Sequence, residues 1–178
     1  QRQMCIRDRQ NIFHMPIAFR ISGYMKGEET LRELYEVQHH TMVAHMALTE
    51  YLHQTKPGKL MGGMLAHQLI YPATCKPRDI FCAQQYDEFL NQNLLRVFAG
   101  QGYSPAVMAV VEQEGFGDIY RADDLALFAR TKNDFMAFSY YASKTLDSDA
   151  IPEGTPVNYY LLHGEKNNPY LKATEWNW

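Results

Sequence analysis

The stretch DFMAFSYY, Asp134 to Tyr141, decides how this chain is to be read. After its leading aspartate it is apolar and aromatic, with Ser139 the one small polar interruption. It lacks the apolar–polar alternation of a strand with one wet face, so it predicts a strand buried on both faces, as in a parallel sheet. Upstream, KLMGGMLA, Lys59 to Ala66, is a second run of the same kind, although Gly62 and Gly63 weaken its strand propensity.

Helical patterns lie before and between these strands. The first spans about Glu29 to Gln54, where Leu34, Val37, Thr41, Ala44, Leu48 and Leu52 recur at three- and four-residue steps as a core stripe. Lys56-Pro57-Gly58 ends it. A loop from His67 to Lys76 follows the first strand. Pro77 suits a first helical turn, and that helix runs to about Ala99, with Ala83, Tyr86, Leu90, Leu94, Val97 and Phe98 inward. Pro105 to Gln113 reads as a short helix. Another spans Asp124 to Arg130, with Asp123 as its cap. Gln10 to Glu28 reads as a long loop. Ala142 to Trp178 reads as another, punctuated by Pro152, Gly154, Pro156, Gly164 and Pro169.

Strands alternating with helices imply βα units and a parallel sheet. Two parallel strands do not make a stable sheet covered on both faces. The pattern therefore implies strand neighbours that this sequence does not supply, and the chain is expected to be a fragment of a larger domain. The first nine residues, QRQMCIRDR, show no periodicity or turn logic. They resemble translated adapter sequence, so residues 1–9 are expected to be non-native and residues 10–178 to be the piece of the domain.

Bulk properties exclude several function classes. With 17 basic and 20 acidic residues the formal net charge is −3, which provides no electrostatic footprint for nucleic acid. No apolar run approaches the ~18 residues of a membrane span, and no apolar leader segment is visible. Three cysteines, Cys5, Cys75 and Cys82, are too few and unpaired for a disulfide framework and fit reduced thiols in a cytoplasmic protein. Aromatic content of 13% suits either a plain core or a site where sugar C–H faces rest on rings.

Most candidate constellations have a bland explanation. His39, His40 and His45 are one, five and six apart, so no pair presents to one metal, and packing of polar positions against neighbouring elements explains them better. Cys75 and Cys82 do not form a CxxC pair. GQGYS, Gly100 to Ser104, follows a helix and reads as its stop, not as a phosphate cradle. No nucleophile elbow of the GxSxG type occurs. Acidic pairs such as Asp123-Asp124 sit at helix starts, where carboxylates favour the dipole. Ser139-Tyr140-Tyr141 is different, because it lies where a strand meets its following loop, and barrel strands carry their chemistry at their C-terminal ends. Trp176 and Trp178, two apart in TEWNW, suit either a stacking wall or a packed corner.

Four segments together resemble family 1 of the glycoside hydrolases, on the side of the bacterial 6-phospho-β-glucosidases. DFMAFSYYASKT, Asp134 to Thr145, is similar to the sixth-strand segment, with Ser-Tyr-Tyr where most members have Asn-Tyr-Tyr. NPYLKATEWNW, Asn168 to Trp178, resembles NPYLKASEWGW of that subfamily, with Asn177 in place of glycine. GGMLAHQLIYPATCKPRDI, Gly62 to Ile80, resembles the fifth-strand region, and QHHTMVAHMAL, Gln38 to Leu48, the fourth helix. The resemblance implies a partial (β/α)8 barrel, from after strand 4 through strand 6 and its following loop.

The resemblance also implies a retaining mechanism with two carboxylates, no metal and no organic cofactor. The family's acid/base glutamate falls just before Gln10-Asn11, and its nucleophile beyond Trp178. The Thr-Glu-Asn-Gly type of nucleophile motif does not occur here, and Glu175 does not match it. The chain alone is therefore expected to be inactive. The family's phosphate-binding loop also lies outside the sequence. Carried over residue by residue, Tyr141 matches the tyrosine that orients the nucleophile and Trp178 the tryptophan lining the aglycone side. Trp176, Tyr140, Ser139, Tyr71 and His67 complete the expected substrate-binding set. The implied partner is a phosphorylated β-glucoside, with no nucleic acid or membrane. An unphosphorylated β-glucosidase or a 6-phospho-β-galactosidase of the family is the near alternative. A non-catalytic α/β sugar-binding module is the distant one.

Overall fold

Thr30 starts the first helix with a reciprocal capping box. Its hydroxyl accepts from the Glu33 amide, and the Glu33 carboxylate accepts from the Thr30 amide at 2.7 Å. The computed structural model describes residues 30–140 and 142–172. Helix α1 spans Leu31–Thr55, strand β1 Gly62–His67 and strand β2 Ile70–Pro72. Helix α2, Pro77–Asp87, passes through a π-helical turn, Glu88–Gln92, into α3, Asn93–Phe98. Helices α4, Pro105–Gln113, and α5, Ala122–Arg130, precede strand β3, Phe135–Tyr140, and strand β4, Lys144–Leu146. Single 3-10 turns and a short helix α6, Tyr160–Gly164, follow.

The strands pair in parallel, as expected. β1 lies beside β3 with Gly62 opposite Phe135 and His67 opposite Tyr140. β2 lies beside β4 with Tyr71 opposite Thr145. Each pair is joined through intervening helices, the connection that parallel strands require.

One continuous core packs the helices onto one face of β1 and β3. Tyr35, Met42 and Met46 of α1 meet Leu65 of β1, Leu90 of the π-helical turn, Leu94, Val97 and Phe98 of α3, and Phe128 of α5. The inward positions expected for the Pro77 helix, Ala83 through Phe98, are all buried. The stripe expected for α1 is corrected: only its Leu34 is fully buried, and Ala44 and Leu48 face out. The true inner face mixes Tyr35, Met42 and Met46 with Gln38, His39, His45 and Thr49. His39, His45 and Thr49 can occupy it because partners wait there, whereas the buried Gln38 amide has no hydrogen-bond partner among the described residues. His39 bonds Tyr103 at 3.0 Å through Nδ1 and Asp124 at 3.3 Å through Nε2. His45 meets Asn133 at 3.0 Å, and the Thr49 hydroxyl donates to the His45 carbonyl. Burial lowers the pKa of His39, against the opposing pull of Asp124, and so favours the neutral ring.

Other expectations are revised in detail. The α5 cap is Arg121, without a side-chain bond, and Asp123 and Asp124 lie inside the first turn. The stretch from 142 to 172 is not one irregular loop, because its prolines and glycines separate elements three to five residues long, too short for periodicity to reveal. β3 is not buried on both faces within this chain: Phe135, Phe138 and Tyr140 are 51%, 57% and 56% exposed. Among the described residues no third strand pairs beyond it. Gly100, at φ 75°, and Gly102, at φ 71°, do stop α3, in a region of backbone space that side chains disfavour.

Gly63 faces the packed helices. A Cβ there would sit 2.9 Å from Phe98 Cζ and 2.9 Å from Asn133 Nδ2. In a full-length protein carrying this segment, Gly63→Ala should therefore destabilise by about 1–3 kcal/mol, the usual cost of overpacking. Urea melts of the two proteins measure it. An unchanged midpoint would mean that Phe98 can withdraw freely.

Candidate functional site

The N-terminal and C-terminal ends of the β1–β3 pair have different chemistry. At the N-terminal end Asp134 is structural. Its carboxylate accepts from the Met61 amide and from His53, both at 2.8 Å, and these bonds hold its pKa below the usual carboxylate value. The lone acid of the DFMAFSYY stretch thus aligns the two strands where they begin.

At the C-terminal end the strand register sorts the candidate residues. Side chains alternate across a strand, so His67, Leu65 and Gly63 share a face with Tyr140, Phe138 and Met136. The helices cover this face at Gly63, Leu65 and Met136 and leave Phe138 and Tyr140 on it more than half exposed. The His67 ring meets Phe138 edge-on, with centroids 5.8 Å apart. Ser139 lies on the opposite face with Met64, its hydroxyl 4.0 Å from the Met64 sulfur. The structure thus brings His67 and Tyr140 together on the face away from Ser139. Tyr71 stands beyond them in β2 and is 37% exposed. Tyr141, Trp176 and Trp178 lie outside the described residues.

The segments that leave this end are tied down by a residue that pattern reading passed over. Asp79, fully buried at the first turn of α2, accepts from the Thr74 hydroxyl at 2.6 Å and the Ser148 amide at 3.0 Å. The Ser148 hydroxyl also donates to it. Burial alone would raise its pKa. The bonds from Ser148 and Thr74, helped by Lys76, outweigh that and hold it at about 2. The signal was present in the Thr-Cys-Lys-Pro-Arg-Asp run, but an acid three residues into a helix reads first as a dipole partner.

Among the described residues, no group of three or more His, Cys, Asp or Glu is placed to hold a metal ion. Cys75 is an exposed free thiol. Cys82 is a buried one, and burial pushes its pKa up. No helix among the described residues is long and apolar enough to cross a membrane.

Comparison with known proteins decides the family. The profile described as glycosyl hydrolase family 1 matches residues 9–178. The chain belongs to glycosyl hydrolase family 1. Among curated proteins it is 29% identical over 168 residues to the 6-phospho-beta-glucosidase AscB of Escherichia coli, covering 94% of this chain and 34% of that protein. It is 30% identical over 171 residues to the aryl-phospho-beta-D-glucosidase BglH of Bacillus subtilis, covering 94% and 35%. Among solved structures, a beta-glucosidase from Exiguobacterium marinum superposes with TM-score 0.75 at 16% identity, covering 96% of this chain and 37% of that one. The Thermotoga maritima family 1 glycoside hydrolase superposes with TM-score 0.71 at 18% identity, covering 98% and 37%.

The chain thus spans about a third of the length of these relatives. Its parallel βα arrangement is part of the family's barrel fold. The end of β1 and β3 that carries His67, Ser139 and Tyr140 is the end where such barrels place their chemistry.

Proposed function

We propose that this chain is the central part of a retaining 6-phospho-β-glucosidase, running from after barrel strand 4 through strand 6 and its following loop. The observation that carries this reading is the likeness, over 94% of the chain, to two proteins named as phospho-β-glucosidases. Retention needs a nucleophile and an acid/base carboxylate about 5 Å apart across the glycosidic bond. Neither family motif is in this sequence. The residues here serve that chemistry from beside it. Tyr141 orients the nucleophile and keeps it ionised. Ser139 lines the barrel interior next to it, and Trp176 and Trp178 wall the aglycone side. No cofactor enters.

The test is turnover by the full-length enzyme of aryl β-glucosides with and without a 6-phosphate. A preference for the phosphorylated substrate supports the proposal. Preference for the plain glucoside would replace it with the β-glucosidase reading, and binding of either sugar without hydrolysis would favour the sugar-binding module.

In that enzyme Tyr141→Phe should lower kcat by the equivalent of roughly 2.7–4 kcal/mol, the usual cost of one preorganised hydrogen bond at a reacting centre. The ring remains for packing, so the melting temperature should hold. An unchanged kcat would leave Tyr141 as a ring at the barrel mouth and nothing more.

A further inference from the structure

β2 and β4 carry the two neighbouring mouth segments outward, and both are caught two residues later by one side chain. Thr74 follows β2 and Ser148 follows β4, and both bond Asp79, on opposite oxygens of its carboxylate. Ser148 lies 69 residues from Asp79 in sequence and engages it twice, through amide and hydroxyl. Asp79 and Ser148 are fully buried, and the exposed Thr74 closes the outer side of the pair. Around this centre the segments are cross-linked further. The Ala73 amide donates to the Leu146 carbonyl at 2.8 Å, and the Lys76 amide to the Thr74 hydroxyl at 3.0 Å. Lys76 pairs with Asp149, and Lys166 reaches Asp147 at 2.9 Å.

Burying a carboxylate is costly unless its oxygens are fully bonded, and here the bonds come from two loops and not from its own helix. An asparagine can keep an acceptor oxygen for Ser148, but it then offers Thr74 a donor, so the Thr74 hydroxyl must turn from donating to accepting beside the Lys76 amide that already donates to it. The site therefore favours a carboxylate.

We propose that Asp79 is a positioning residue that locks the loops after β2 and β4 together and so sets the course of residues 142–148, the segment that follows the strand end at Ser139 and Tyr140. The catalytic part of this inference rests on the glycosidase reading above. The lock itself does not.

The experiment uses the full-length enzyme, native and as Asp79→Asn. Hydrogen exchange is followed in peptides covering residues 142–150 and 105–113, and kcat and KM are measured on aryl β-glucosides with and without the 6-phosphate. Asp79→Asn should speed exchange around Ser148 and leave α4 unchanged. It should lower kcat about 10- to 100-fold, as small misplacements of catalytic geometry do, with KM moved much less. A purely structural role would lower the folded fraction without this split per folded molecule. If Asp79→Asn does not fold, Ser148→Ala, which removes one of the bonds, should show the same two effects in smaller measure. Unchanged exchange at Ser148, or an unchanged kcat on a substrate that the native enzyme hydrolyses, would overturn the inference. Turnover of the plain glucoside alone would end the phosphoglucosidase reading, and the Asp79 comparison is then read on that substrate. If neither sugar is hydrolysed, exchange alone decides: faster exchange supports the lock, and unchanged exchange removes it.

Discussion

The purified 178-residue chain should hydrolyse no aryl β-glucoside, phosphorylated or plain. The family reaction divides its work between two carboxylates, and the sequence contains neither of the motifs that carry them. Three of the acids it does contain are engaged elsewhere. Asp79 is bound into the loop lock, Asp134 aligns the strand starts, and Asp124 supports His39. Loss of a nucleophile or acid removes many powers of ten in rate, on the order of 8 kcal/mol of barrier or more. The assay is prolonged incubation with a chromogenic 6-phospho-β-glucoside, with a Tyr141→Phe chain as control. Turnover above that control would mean that a competent carboxylate pair lies within this chain after all.

The second large effect concerns the chain as a physical object. The helices have a packed interior in Tyr35, Met42, Leu94 and Phe98, but among the described residues the sheet they pack on is two strands wide. A two-stranded sheet is marginal in water. β3 leaves Phe135, Phe138 and Tyr140 half exposed, and an apolar strand with an open edge templates aggregation. Helices of this kind owe most of their stability to packing. The isolated chain is therefore expected either to precipitate or to give a helical far-UV signal without a cooperative melt. Scanning calorimetry on a monomeric sample is the measurement. One sharp transition would show an autonomous domain and end the reading of the chain as a barrel portion.

The parallel βα class was legible from the residues alone because the two informative runs, Lys59 to Ala66 and Asp134 to Tyr141, lack alternation and are separated by helical spacing. The helix from Pro77 was equally plain, since its inward positions are apolar and repeat cleanly. The face of α1 was not. Four of its eight buried residues are polar, and the tertiary partners Tyr103, Asp124 and Asn133 help make burial of His39 and His45 tolerable. The strand end at Ser139 could be singled out because barrel chemistry gathers there, but its sidedness could not. Which of Ser139 and Tyr140 shares a face with Leu65 depends on the register that pairs His67 with Tyr140. Asp79 stayed hidden for the same reason. Its partner Ser148 is 69 residues away, and no local pattern encodes a contact that exists only once β2 and β4 lie side by side. Local spacing determined which segments are helix and which are strand. Long-range pairing decided that the Asp79 carboxylate and the His39 and His45 rings could be buried, because buried polar groups need hydrogen bonds and theirs come largely from distant chain segments.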